Sequence, residues 1–191
     1  MLEAMEKVPR ERFVPDEARA YAYEDTPLSL GHGQTISAPS MVAIMCDVLD
    51  VRPGNKVLDV GTGWGYHAAI LSVLARPGTV YSVERIPELA ERAREVLAEP
   101  GFDNVKVFTG DGSEGLAEFA PYDRINVAAA APEVPEALAG QLAEGGRMVV
   151  PVGRYLQELV LVVKKNGRLE TYDRGGVAFV PLVGKAGFKG D

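Results

Sequence analysis

The sequence predicts an α/β fold: a mostly parallel sheet with helices on both faces, finishing in an antiparallel hairpin. Three observations predict it. Strand-like and helical runs alternate from Lys56 to Pro151. Glycines 61, 63 and 65 crowd the junction between the first buried strand and the helix after it. Asn166-Gly167, the strongest short hairpin signal, separates two apolar runs near the end.

The elements follow in order. Leu2 to Val8 has helical character and stops at Pro9, and Asp16 to Tyr23 forms a second short helical stretch. Glu24 to Ser40 is polar, carries glycines and has no period, so it reads as a long loop of the kind that is often functional. Pro39 opens a helix in which Met41, Ile44, Met45, Val48 and Leu49 recur at helical spacing. Lys56 to Val60 is a buried strand. Tyr66 to Ala75 is a helix, apolar nearly all round. Thr79 to Glu84, Asn104 to Phe108, Arg124 to Ala129 and Arg147 to Pro151 continue the strands. Pro87 to Ala98 and Pro135 to Leu142 are the intervening helices. Glu158 to Lys165 and Arg168 to Asp173 form the hairpin, and Val177 to Leu182 is one more strand-like run.

Composition narrows the function. The chain has 191 residues with no linker signal, which predicts a single domain over 1–191. Residues 1–50 form a helical and acceptor-loop cover, and 51–191 the sheet. One cysteine, Cys46, and two histidines supply neither a disulfide nor an ordinary metal centre. Cys46 lies inside a helix, where a structural thiol is the expectation. No apolar run approaches the ~20 residues of a membrane span, and the first residues lack the apolar core of a signal peptide. A cytoplasmic location is the expectation. The net charge of −7 argues against nonspecific binding to nucleic acid.

The chemistry concentrates at strand ends. Gly61-Thr62-Gly63-Trp64-Gly65 permits a sharp turn and close approach of a ligand to the backbone. The helix after it offers unpaired N–H groups to a carboxylate or phosphate. The spacing is not that of a nucleoside-triphosphate loop, and a tight turn without a ligand is the plain alternative. Glu84 ends the next strand, 23 residues after Gly61, where an acid accepts from both ribose hydroxyls. Asp111-Gly112 ends the third, positioned for an adenine ring, although Asp-Gly alone is also a common turn. Asp59 either orients the glycine loop or faces a ligand's ammonium group. Trp64 is either a wall of the pocket or core packing.

The most specific stretch is Gly31-His32-Gly33-Gln34-Thr35-Ile36-Ser37-Ala38-Pro39, whose plain reading makes Ser37 a helix N-cap. No Gly-x-Ser-x-Gly elbow accompanies it. With Val8 to Pro15, Ala22 to Asp25, Val57 to Tyr66, Val83 to Arg85, Gly110 to Gly112, Pro121 to Ile125, Pro151 to Gly153 and Phe179 to Leu182, it resembles the protein-L-isoaspartate O-methyltransferase family over nearly the whole chain.

The resemblance implies a Rossmann-like class I methyltransferase fold with seven strands. It implies S-adenosyl-L-methionine as cofactor, S-adenosyl-L-homocysteine as product and no metal. The acceptor it implies is the α-carboxylate of L-isoaspartyl residues in damaged proteins and peptides, with repair proceeding through a succinimide. It assigns Ser37 as the active-site serine and Gln34, Thr35, Ile36 and Ser37 to the substrate. Asp59, Gly61, Thr62, Gly63, Gly65, Glu84, Asp111 and Gly112 fall to the cofactor. It implies no nucleic-acid or membrane partner, and a monomer. Two departures stand out: family members carry about one further helix and turn ahead of Leu2, and a histidine is common where Ser40 stands.

Three other readings share the cofactor features. They are a methyltransferase acting on a small molecule or RNA, a nicotinamide-dependent oxidoreductase, and a cofactor-binding module without catalysis. The acceptor loop separates the first from the isoaspartyl reading. Cofactor choice separates the second, and loss of transfer with retained binding the third.

Overall fold

A computed structural model describes residues 1–190. The helices are α1 (Leu2–Glu6), α2 (Pro39–Leu49), α3 (Tyr66–Ala75), α4 (Pro87–Leu97) and α5 (Glu136–Gly140). A short hairpin is formed by β1 (Leu28–Gly31) and β2 (Gln34–Ile36). The main sheet contains β3 (Val57–Val60), β4 (Val80–Glu84), β5 (Val105–Thr109), β6 (Tyr122–Val127), β7 (Leu142–Val152), β8 (Gln157–Lys165) and β9 (Arg168–Val177).

The seven strands lie in the order β5-β4-β3-β6-β7-β8-β9. Pairs from β5 through β7 are parallel, while β8 runs antiparallel to both β7 and β9. The order reverses beside β3, so the ends of β3, β4 and β6 open one crevice at the carboxyl edge. The predicted fold class is the one observed.

Alternate residues of a strand serve opposite faces. Val149 joins the apolar cluster with α2, α3 and α4, whereas Met148 and Val150 join the cluster with α5. The two faces are covered unequally. Three long helices and the amino-terminal segment cover the first, while one short helix, 3₁₀ turns and the carboxyl-terminal tail cover the second.

The amino-terminal segment is locked down by Arg10, which is fully buried. Its Nε donates to the Ala22 carbonyl at 2.6 Å, and its guanidinium sits 4.8 Å from the Tyr66 ring centre. Phe13 packs against the same ring, with centroids 5.6 Å apart. The cover is thereby held against the first turn of α3.

Several segments differ from the sequence reading: β7 begins at Leu142, so Gly145-Gly146 lies within a strand and α5 ends at Gly140. The stretch expected to be an irregular loop contains the β1–β2 hairpin, with Leu28 opposite Ile36. Its two turn residues, His32 and Gly33, both have positive φ, the geometry of a tight primed turn. Val177 to Leu182 does not form another strand. Val177 closes β9 opposite Gln157, and of the residues after it up to Leu182 only Pro181 makes an isolated bridge, to Ala130.

Candidate active site

The crevice holds an open cleft. Its walls bring together pieces far apart in the chain. Gln34, Thr35, Ile36 and Ser37 come from β2 and the turn after it; Gly61, Thr62, Gly63 and Trp64 follow β3. Glu84 ends β4, and Gly112 follows β5. The substrate and cofactor residues expected from the sequence therefore share one cavity, with three exceptions.

The first exception is Asp59. It is fully buried beneath the glycine loop and does not line the cleft, so the geometry does not support contact with a ligand's ammonium group. Its Oδ2 accepts from the Ser82 hydroxyl at 2.6 Å and its Oδ1 from the Asn126 amide at 2.8 Å. The Ser82 hydroxyl also meets the Thr62 hydroxyl at 2.6 Å. Asn126 reaches the His67 Nδ1 at 3.2 Å, and His67 Nε2 lies 3.2 Å from the Cys46 sulfur. A continuous polar chain thus runs under the loop from Thr62 to Cys46. Burial pushes the Asp59 carboxyl up to about 6, against the hydrogen bonds from Ser82 and Asn126. Burial pushes the His67 imidazole down to about 4. Burial also raises the Cys46 thiol, which fits a structural role.

The second exception is Gly65, which caps α3 with φ 97°. A Cβ there would meet Leu97 Cδ1 at 2.8 Å, so this glycine serves close packing of α3 against α4. The third is Asp111, whose side chain turns to the tail. Its Oδ1 accepts from the Ser113 backbone at 3.0 Å and hydroxyl at 2.7 Å, and its Oδ2 from the Lys185 backbone at 2.8 Å. Partial burial raises the carboxyl, but the donors from Lys185 and Ser113 outweigh it and hold the group below its ordinary value.

Glu84 fits its expected position. Its Oε2 accepts from the Gly63 N–H at 2.9 Å and its Oε1 from the Ile86 N–H at 3.0 Å. Each oxygen keeps further acceptor capacity. Ser37 is not the helix cap: Ala38 holds that place, and Asp25 Oδ1 accepts the Ser40 N–H from across the loop at 2.9 Å. The Ser37 side chain is left to the cleft. Trp64 lines the cleft as well as packing against the core, and the Arg92 guanidinium lies 4.9 Å from its ring centre.

Sequence reasoning did not find Ser82 and Asn126, nor the wall made by Val180 to Val183. A signal for the first two exists. Asp59-Val60, Ser82-Val83 and Asn126-Val127 place a polar residue at the same offset in three strands, and Asp59 pairs with both Ser82 and Asn126. Among the described residues, no group of three or more His, Cys, Asp or Glu side chains could hold a metal ion. No helix among them is long and apolar enough to cross a membrane.

Comparison with known proteins agrees with this geometry. The family model described as protein-L-isoaspartate(D-aspartate) O-methyltransferase matches residues 1–187. A protein-L-isoaspartate O-methyltransferase of Methanocella arvoryzae is 67% identical over 187 residues, covering 97% of this chain and all of that one. One from Methanothrix thermoacetophila is 60% identical, covering 99% of this chain and 90% of that one. A solved protein-L-isoaspartate O-methyltransferase superposes with a TM-score of 0.87 at 35% identity; the match covers 96% of this chain and 61% of that one. A Plasmodium falciparum protein described as a beta-aspartate methyltransferase, solved with S-adenosyl-L-homocysteine, gives 0.84 at 30% identity, covering 95% and 88%. The chain belongs to the protein-L-isoaspartate(D-aspartate) O-methyltransferase family.

Proposed function

We propose that this chain, as one domain over residues 1–191, transfers a methyl group from S-adenosyl-L-methionine to the α-carboxylate of L-isoaspartyl residues in proteins and peptides. The observation that carries this reading is the shared cavity, with Gln34 to Ser37 on one wall and Gly61 to Gly63 with Glu84 on another. A ribose acid and a glycine turn lining one cleft fit the cofactor. When bound, it supplies an electrophilic methyl on a sulfonium centre.

The protein's share of the chemistry is positional. A peptide α-carboxylate has a pKa near ~3.5, so it is ionised at neutral pH and needs no strong base. Ser37 orients the acceptor oxygen by donating a hydrogen bond, and Gln34, Thr35 and Ile36 hold the residue that bears it. Glu84 takes the ribose hydroxyls, while Gly61, Thr62, Gly63 and the α3 amino terminus frame the methionine portion. Gly112, with Asp111 behind it, bounds the adenine end. Asp59 acts through Ser82 and Thr62 to fix the loop. The walls exclude water and hold the reacting atoms in line. In the released methyl ester, the following backbone nitrogen then attacks the ester carbonyl and expels methanol to close a succinimide, and addition of water returns part of it as aspartate.

Damaged proteins and peptides are the partners in this reading, the working unit is a monomer and the compartment is the cytoplasm. The test is transfer of a tritiated methyl group to an isoaspartyl peptide and to its aspartyl twin. Selective labelling of the first is expected. Equal labelling, or none, overturns the assignment.

A further inference from the structure

The most exposed large apolar side chains among the described residues are adjacent: Tyr155, 91% exposed, and Leu156, 92%. They form the tip of the β7–β8 connection. A single exposed apolar residue needs no explanation, whereas two adjacent ones at the tip of one turn make a contiguous apolar patch.

The turn is built tightly. Gly153 has φ 125°, and a Cβ there would lie 2.0 Å from the Leu156 carbonyl oxygen. The residues on either side of the pair are both anchored to the same segment of the tail. Gln157 exchanges two hydrogen bonds with the Phe179 backbone, at 3.0 and 2.6 Å. The Arg154 guanidinium lies 5.6 Å from the Phe188 ring centre, and Phe188 donates its N–H to the Leu182 carbonyl at 2.7 Å. Val180 to Val183 is a wall of the cleft. The two side chains between these anchors are the ones left in solvent.

The turn is also close to the cleft. Ala130 is bridged to Pro181 of the wall, and Ala131 is bridged to Val152 at the base of the turn. Two ribbon spacings separate the wall from Val152 at the base of the turn, about 10 Å at ~4.8 Å each, and Tyr155 and Leu156 stand three and four residues further along. An extended polypeptide covers the first distance in about three residues, so it meets the tip three or more residues out.

We propose that Tyr155 and Leu156 are a docking platform for the substrate polypeptide itself. They receive an apolar side chain three or four residues from the isoaspartyl residue as the chain leaves the cleft. The inference rests on the methyltransferase reading above and specifies which polypeptides the site favours. A damaged, locally unfolded segment presents such side chains, whereas a folded surface mostly buries them. The platform adds affinity through burial and touches none of the reacting atoms.

The experiment uses the full chain and two eleven-residue peptides with a central isoaspartyl residue. One carries leucine at the third and fourth positions on both sides, and the other carries serine there. A tripeptide too short to reach the turn is the control. The native protein is expected to show a KM about tenfold lower for the leucine peptide, which burial of roughly half a leucine side chain supplies. The double variant Tyr155→Ser, Leu156→Ser is expected to lose that preference. Its kcat, its KM for the tripeptide and its affinity for S-adenosyl-L-homocysteine should stay unchanged. The variant Tyr155→Phe, Leu156→Met should restore the preference. A tenfold preference retained by the serine variant, or absent from the native protein, overturns the platform. Failure of the native protein to methylate any isoaspartyl peptide overturns the site assignment and the platform with it.

Discussion

Ser37 and Glu84 face the same cavity but do different work. Removing the Ser37 hydroxyl leaves Gly61 to Gly63 and Glu84 in place. Ser37→Ala should therefore lower kcat by roughly 10–100-fold, the usual scale of lost orientation, with cofactor affinity kept. Turnover at the native rate would refute the role. Glu84→Ala removes an acceptor for the ribose and also the anchor of the Gly63 N–H. Calorimetry should show S-adenosyl-L-homocysteine binding weaker by roughly 10–100-fold, about the loss of one or two charge-assisted hydrogen bonds. Beneath the loop, Asp59 and His67 titrate in opposite senses. The folded His67 is held near 4 against an ordinary 6.5, so the unfolded chain binds the extra proton and stability falls as pH drops from 6.5 to 4. The folded Asp59 is held near 6 against 3.8, so the folded chain binds the extra proton and stability rises as pH drops from 6 to 3.8. Between pH 4 and 6 the two slopes oppose each other. Asp59→Asn leaves His67 uncompensated. Its urea midpoint should drop relative to the native protein as pH falls through this window, and parallel curves would disprove the compensation.

At the scale of elements, the glycine loop depends on the contact between α3 and α4. Gly65→Ala places a methyl group 2.8 Å from Leu97 at a residue with φ 97°. It should cost about 1–3 kcal/mol, from overpacking and left-handed strain together. Thermal unfolding reads this directly, and an unchanged Tm would show that Leu97 yields freely. The sequence announced these elements unequally. Helix α3 was readable to the residue, because Gly65 and Arg76-Pro77 punctuate a continuous apolar run. The hairpin of β1 and β2 was not. Its strands have four and three residues, too short for alternation to declare itself, and Ile36 is buried by partners elsewhere in the chain. The polar layer under the loop was hidden for another reason. Asp59, Ser82 and Asn126 meet only through lateral strand pairing, which depends on the strand order and not on spacing along the chain. Glu84 and Gly112 were legible because a strand's end is marked locally, and all the strand ends of one parallel sheet open to the same side.

For the whole molecule, the cleft is assembled from the two extremities of the chain as well as its middle. Phe13 lines it near the beginning and Val183 near the end, about 170 positions apart in sequence. No contiguous half of the protein contains a complete site. Binding of S-adenosyl-L-homocysteine should therefore raise the stability of the entire fold and not of one part. At a hundred times its dissociation constant the gain is about 2.7 kcal/mol. Hydrogen exchange should report added protection in β3, β4 and the tail alike, and protection confined to the glycine loop would contradict this. The wall at Val180 to Val183 also sets a time. During synthesis the sheet strands emerge first, but these residues are still within the ribosome when β9 appears. Leu182 also belongs to the core on the α5 face of the sheet, so completion of that core and completion of the cleft wait on the same residues.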